Sequence, residues 1–293
     1  VAIWQEALKV LTTGVQNNAI GYQSGDAITT GDRNTLFGYD SGGSLSTGRL
    51  NIAIGAESMN TMTIGERNVA IGNDALTAAV EDAQCVAVGY EALHDCNGGG
   101  SDGSPTATGN TMVGYQAGDT ITTGKFNSGL GSGVAFDIDA NNQTAIGYQA
   151  TTDSANDIAI GNTSVDEIEG QVSFGTYSDK RIKQNIEDGD LGLDFINLLK
   201  PRKYNKVSPA KYPKSIKNPN DGKEMEWTDA QANKVWDGLI AQEVKEAMDD
   251  CKTSYSGWRE KKNSKQVLEY EVLVVPLIKA VQELSSKVEE LEA

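Results

Sequence analysis

Residues 14–177 read as an all-β parallel solenoid and residues 178–293 as a mainly α, α+β domain closed by a self-associating helix. Three observations carry this reading. A pentapeptide of the form Asn-x-Ala-Ile-Gly recurs nine times between Asn17 and Gly161. In the last stretch, 270–293, Val274, Leu277, Val281, Leu284, Val288 and Leu291 lie three and four residues apart, the spacing of a heptad seam. Charge changes over at the same boundary: residues 1–177 carry 5 Lys/Arg against 20 Asp/Glu, whereas residues 178–293 carry 20 against 21.

Residues 1–13 form a lead-in without the pentapeptide. The first copies, Asn17–Gly21, Asn34–Gly38, Asn51–Gly55 and Asn68–Gly72, recur every 17 residues, and Cys85–Gly89 keeps the period with Cys in the Asn place. After a Gly-rich insertion from Cys96 to Gly109 come Asn110–Gly114, Asn127–Gly131, Gln143–Gly147 and Asp157–Gly161. One copy is too short to bury a face alone, so neighbours must stack as coils. Alternation along each strand sends the Ile or Val side chain to one face and Asn and Ala to the other. The aliphatic ladder is expected to fill the coil interior. A glycine after each aliphatic residue, and a second one before Asn in several copies, imply two corners per coil with two short strands between them. At the ~4.8 Å spacing of adjacent strands, nine coils make a rod on the order of 40 Å long. Tyr22, Tyr39, Tyr90, Tyr115 and Tyr148 follow the repeat glycine in fixed register, which favours a packing role over sugar stacking.

Beyond Ser178, Leu191–Leu199 has apolar residues at helical spacing and stops at Pro201. A short strand is expected over 202–207, a Pro- and Lys-rich mobile loop over 208–228, a strand end running into an amphipathic helix over 238–248, and another strand over 266–270. The seam helix is expected to associate with copies of itself rather than pack only on its own domain, because the chain ends within the seam and offers it no later partner.

A formal charge of −16 and a pI near 4.5 argue against nucleic-acid or anionic-membrane binding. No apolar run is long enough to span a bilayer. The chain opens on Val1, so a start further upstream is expected and silence on targeting signals carries no weight. The three cysteines, Cys85, Cys96 and Cys251, have no metal-ligand spacing, so neither a disulfide framework nor a metal is expected, and a thiol-reducing site of synthesis is inferred. The single histidine, His94, reads as a solvated loop residue, and no cofactor is expected.

The Asn-x-Ala-Ile-Gly ladder resembles the head repeats of trimeric autotransporter adhesins of the YadA type over residues 14–165. That resemblance implies a left-handed parallel β-roll associated as a trimer. The usual repeat there is shorter, and the insertion at 96–109 departs from it. Three further segments, Ser178–Asn185, Gly238–Val244 and Val275–Leu284, together resemble the intramolecular chaperone of the peptidase S74 family, found at the C-termini of bacteriophage tail spikes, tail fibres and neck appendages. The resemblance implies that Ser178 and Lys183 form a catalytic dyad and that the cut falls among Tyr177, Ser178 and Asp179. A serine hydroxyl needs a base, so Lys183 must become neutral by desolvation or through neighbouring cations such as Lys180 and Arg181. Taken alone, Ser178-Asp179 also reads as a helix N-cap with Lys183 on a solvated face.

The expected protein is a homotrimeric tail-fibre or appendage component, assembled in the host cytoplasm and placed in the virion, that meets a glycan or protein receptor on the host surface. Its C-terminal part would drive trimerisation and then release itself. A bacterial surface adhesin without proteolysis is the alternative, weakened by the absence of outer-membrane strands. A membrane-bound transcription factor lacks support, since neither a basic DNA-binding module nor a spanning helix is present. A polysaccharide-degrading spike would need a carboxylate pair that does not stand out.

Overall fold

The computed structural model describes the chain except residues 98–105, 166, 173, 217–226 and 262–263, with Thr106 and Ala107 described by backbone alone. The described residues form two compact units that part after Val165.

The first unit is a β-solenoid. Its strands are β1 (Ala2–Ile3), β2 (Asn18–Ile20), β3 (Thr35–Phe37), β4 (Ile52–Ile54), β5 (Val69–Ile71), β6 (Asp82–Ala83), β7 (Val86–Val88), β8 (Thr106–Ala107), β9 (Thr111–Val113), β10 (Ser128–Leu130), β11 (Thr144–Ile146) and β12 (Ile158–Ile160). All but β6 and β8 join one parallel sheet of ten strands in chain order. Register follows the repeat: Ala19 faces Leu36, which faces Ala53, then Ala70, Ala87 and Met112. The lead-in belongs to this stack, because β1 pairs in parallel with β2.

Which face is inside is the reverse of the expectation. The middle residues Ala19, Leu36, Ala53, Ala70 and Ala87 are fully buried, as are Asn34, Asn51 and Asn68, whereas Ile20, Phe37, Ile52 and Ile71 stay exposed. The reason is the width of the coil and the hydrogen bonding of its backbone. Each ladder Asn reaches across the coil from Nδ2 to a carbonyl 13 or 14 residues on, as Asn34 does to Gly48 (2.9 Å) and Asn51 to Gly65 (2.8 Å). Its Oδ1 accepts the backbone N–H of the Asn in the next coil, at 3.0 Å from Asn51 to Asn34 and from Asn68 to Asn51. These are bonds that an aliphatic side chain cannot supply to a buried backbone. Alanine is small enough to sit beside them, and the rest of the interior is filled from the far side of the coil by Ile28, Leu45, Met62 and Ile121.

Among the described residues, the second strand expected in each coil is mostly absent. Beyond the short β6–β8 pair and three isolated bridges, the far side is a stack of turns tied by backbone bonds between coils, such as Thr29 N–H to the Ser46 carbonyl at 3.0 Å. The repeat glycine is required where coils approach. At Gly38 φ is +143°, and a Cβ there would lie 2.2 Å from the Gly55 carbonyl oxygen. Tyr22 stacks on Tyr39 with ring centres 5.9 Å apart, and Tyr90 on Tyr115 at 5.4 Å, so these rings pack on one another between adjacent coils while remaining partly exposed.

The second unit contains α1 (Leu193–Leu198), β13 (Arg202–Asn205), α2 (Asp229–Asn233), β14 (Val235–Gly238), α3 (Ala241–Cys251), β15 (Trp258–Glu260), β16 (Gln266–Leu268) and α4 (Val274–Glu292). Pairs β13–β14 and β15–β16 are antiparallel ribbons. Helix α1 stops at Leu198, with Leu199 already extended two residues before Pro201. A small core of Phe195, Val244, Ala247, Met248 and Tyr255 gathers α1, α3 and the second ribbon. Where a mobile loop over 208–228 is expected, the described residues form two short 3₁₀ turns, Pro209–Lys211 and Lys214–Ile216; the rest of that loop, like most of the 96–109 insertion, lies outside the described residues. The sequence reading lacks α2, which opens on a Thr228–Gln231 capping box, and β15. No described helix is long and apolar enough to cross a membrane.

Candidate active site

The segment that opens the second resemblance is a single 3₁₀ turn, Lys180–Ile182. Asp179 caps it, accepting the Arg181 N–H at 2.8 Å, and its carboxylate also holds the Arg181 guanidinium in a two-pronged pair, with one contact at 2.6 Å. Lys183 closes the turn in extended conformation. One tight turn between Ser178 and Lys183 brings positions five apart together, and Lys183 Nζ donates to Ser178 Oγ at 2.7 Å.

Both readings of this stretch therefore have a physical counterpart. The N-cap exists, but Asp179 provides it, which leaves the Ser178 hydroxyl available to Lys183. The lysine is not simply solvated, since its amine lies against the serine. Of the two cations expected to act on Lys183, Arg181 is engaged with Asp179: the guanidinium holds the Asp179 carboxyl below the usual carboxylate range, and the carboxylate raises Arg181 in turn. Tyr177 is 92 % exposed, and Ser178, Asp179 and Lys183 are exposed as well. His94 is hydrogen-bonded through Nδ1 to its neighbour Asp95 at 2.7 Å and stands in the solenoid.

Elsewhere in the domain, the motif residues Leu239, Ala241 and Glu243 tie its elements together. Arg202 on β13 grips Glu243 on α3 by two bonds, at 2.6 and 3.0 Å, and this pair holds Glu243 below its ordinary range. Trp258 Nε1 donates to the Ala241 carbonyl at the start of α3 (3.1 Å), and Tyr270 Oη accepts the Leu239 N–H at 2.8 Å. The Arg202–Glu243 fork joins residues 41 apart, and nothing in the local sequence pairs them. Helix α4 packs through Pro276 and Ala280, and its Glu283 caps α1 by accepting the Leu193 N–H at 2.8 Å. The seam residues Val274, Leu277, Val281, Leu284, Val288 and Leu291 remain exposed, Leu291 at 88 %. Beside α4 a groove of about 700 Å³ is lined in part by Leu191, Val272, Val275 and Ile278.

The class so defined is a β-solenoid protein with a separate α+β domain that opens on a bonded serine–lysine pair. Residues 178–252 match the family model of the chaperone of endosialidase, Peptidase S74. No curated protein and no solved structure shows significant similarity to the chain.

Proposed function

We propose that the chain is a trimeric structural component of a phage tail, serving host attachment, and that its C-terminal domain directs folding and then releases itself by one cut beside Ser178. The observation that carries this reading is the 2.7 Å contact between Lys183 Nζ and Ser178 Oγ, placed at the residue where the family match begins.

The chemistry is that of a serine–lysine dyad. In the geometry seen, the amine donates to the hydroxyl; in catalysis the same contact runs the other way, with a neutral amine taking the hydroxyl proton as Oγ attacks a neighbouring carbonyl. The amide nitrogen leaves with that proton, and water then hydrolyses the ester. Each chain is cut once, so the activity is single-turnover and needs no cofactor. A single copy leaves the dyad exposed to water. Further copies supply the dry surroundings, so cleavage reports assembly.

Two exposed apolar surfaces support the trimer. The outer face of the sheet presents Ile20, Phe37, Ile71, Ile146 and Ile158, the last at 68 % exposure, and α4 presents its seam. Patches of this kind are interaction surfaces in soluble proteins. Near-identical coils also pair out of register at little local cost, so a domain that gathers three chains first raises the local concentration of strands and sets their register. Once it is released, the rod is held kinetically. Placement in the virion and recognition of a host receptor follow from this reading.

The full-length chain, Ser178→Ala and Lys183→Ala are expressed in parallel and read by denaturing gel and intact mass. The parent is expected to separate into fragments meeting beside Ser178, with N-terminal sequencing giving the bond, while both variants stay whole. A parent that is never cut, or variants that are still cut, overturns the proposal.

A further inference from the structure

The ten-stranded sheet ends on each side in a column of corner residues, and the two columns differ in charge. Ahead of the strands stand Gln16, Arg33, Leu50, Arg67 and Gln84, each at positive φ. Backbone bonds stack them, such as Arg33 N–H to the Val15 carbonyl (2.9 Å) and Arg67 N–H to the Arg49 carbonyl (3.1 Å). Behind the strands stand Glu6, Gln23, Asp40, Glu57, Asp74 and Glu91, also at positive φ. They are tied in the same way, with Glu57 N–H on the Tyr39 carbonyl (2.8 Å) and Asp74 N–H on the Ala56 carbonyl (3.1 Å). Each strand lies between one column and the other, so the columns run along opposite edges of one face.

The first edge gathers Arg33, Arg49, Arg67 and Lys125, four of the five cations in residues 1–177. Asp32 and Glu66 lie among them. Glu66 takes Arg49 at 2.7 Å and Arg67 at 3.0 Å, and Arg33 donates to Gln16 Oε1 at 3.1 Å. All three arginines remain exposed, and two guanidiniums on one carboxylate leave N–H donors over. The opposite edge has the reverse need. Glu6 is held by Lys9 at 3.3 Å and Glu91 by Gln116 at 2.6 Å, but among the described residues no cation pairs with Asp40, Glu57 or Asp74. Stacked a coil apart, these carboxylates repel one another. The Asp40 carboxyl is raised above its ordinary value, by burial first and then by Asp26 and Glu57.

The two edges match level by level. The coil of β3 carries Arg33 and Asp40, that of β4 carries Arg49 and Glu57, and that of β5 carries Arg67 and Asp74. Both edges are neutral at β2, with Gln16 and Gln23, and at β11, with Asn142 and Gln149. The level of β7 has only Glu91, already bonded within its own chain, and that of β10 only Lys125. Between the edges lies the exposed apolar face of Ile20, Phe37, Ile52 and Ile71. We propose, resting on the trimer reading above, that this face docks on a second copy of the chain lying parallel and unstaggered, with Arg33, Arg49 and Arg67 of one copy on Asp40, Glu57 and Asp74 of the next. A ring closes only when every copy sits at one height, and a face turned to the ring axis brings one copy's leading edge against its neighbour's trailing edge. Opposite charges there fix the register that near-identical coils and an apolar face leave free.

The test places one cysteine on each edge of the full chain, with Cys251→Ser removing the native thiol that is not fully buried. A bis-maleimide with the reach of a guanidinium–carboxylate pair is then added, and the parent's mass is read by sedimentation. Arg33→Cys with Asp40→Cys is expected to join solenoids into bands of two and three chains on a denaturing gel. Arg33→Cys with Asp74→Cys, two coils or ~10 Å out of level, is expected to leave them single. Adding Glu57→Arg to the first pair should suppress the link by setting like charges together at the β4 level, and Arg49→Glu in the same chain should restore it. No link at either level, equal linking at both, or linking that ignores Glu57→Arg overturns the edge contact alone when the parent sediments as a trimer. So does a loss that Arg49→Glu does not restore. A parent that sediments as one chain defeats the trimer reading and this proposal with it. If Glu57→Arg fails to fold, the two cysteine pairs decide by themselves.

Discussion

Asn51 concentrates the logic of the solenoid in one side chain. It donates to the Gly65 carbonyl and to Asn34 Oδ1, and accepts from both nitrogens of Asn68, all within 3.2 Å and fully buried. Replacing it with alanine orphans the Gly65 carbonyl and the Asn68 N–H inside the coil. At the cost of buried unsatisfied groups, Asn51→Ala should lose about 3 kcal/mol, read as a lower denaturant midpoint with an unchanged slope. The repeat and its alternation were legible at this scale, but which face turned inward was not. Apolar content points to Ile and Val as core, whereas a narrow coil whose carbonyls need donors selects Asn and Ala. Hydropathy does not count unmet hydrogen bonds. The serine–lysine contact was legible in the spacing of Ser178 and Lys183, while the diversion of Arg181 to Asp179 was not, because it depends on the tightness of one turn.

Between elements, the Arg202–Glu243 fork ties β13 to α3, and the Thr253 hydroxyl donates to the Asp190 carboxylate beside α1. Folding lowers both carboxyls, Glu243 through its bond to Arg202 and Asp190 through its bond to Thr253. The folded domain therefore binds fewer protons than the unfolded chain. The resulting stability is fully present above the ordinary carboxylate range and is lost as pH falls from there through the depressed values. Acid titration of the helical circular dichroism signal, combined with urea, should show the C-terminal unit weakening over that window. Glu243→Gln should be less stable at neutral pH and show a shallower acid dependence; an unchanged profile would remove the fork from the account. The helices α1, α3 and α4 were readable from apolar spacing and from Pro201. Neither α2 nor β15 was, since five and three residues carry too little periodicity to detect.

For the assembled molecule, the outer face of the ten-stranded sheet is the surface to test. Ile71 is exposed, and its side chain takes no part in the asparagine ladder. Under the trimer proposal, Ile71→Glu should leave the β signal of the coil intact and reduce the sedimenting mass toward that of one chain. Loss of the coil itself, or an unchanged trimer, would show that this face is not the contact. The acidity of the solenoid works in the same direction as such a charge: residues 1–177 bring a net charge of −15 per chain, so like-charged rods repel except where apolar faces offset it.

The asparagine ladder also has a consequence for how such a protein changes length. Every regular coil offers the next one what it receives from the last: an Oδ1 for a backbone N–H and for an Nδ2, and a glycine that lets the backbones touch. An extra 17-residue unit placed after Gly55 would find its partners already waiting on both sides. Departures from that length, with 16 residues from Asn127 to Gln143 and 14 from Gln143 to Asp157, leave the strands paired in register. The solenoid can thus gain or lose whole storeys by duplication and deletion, while its corners absorb the uneven remainders.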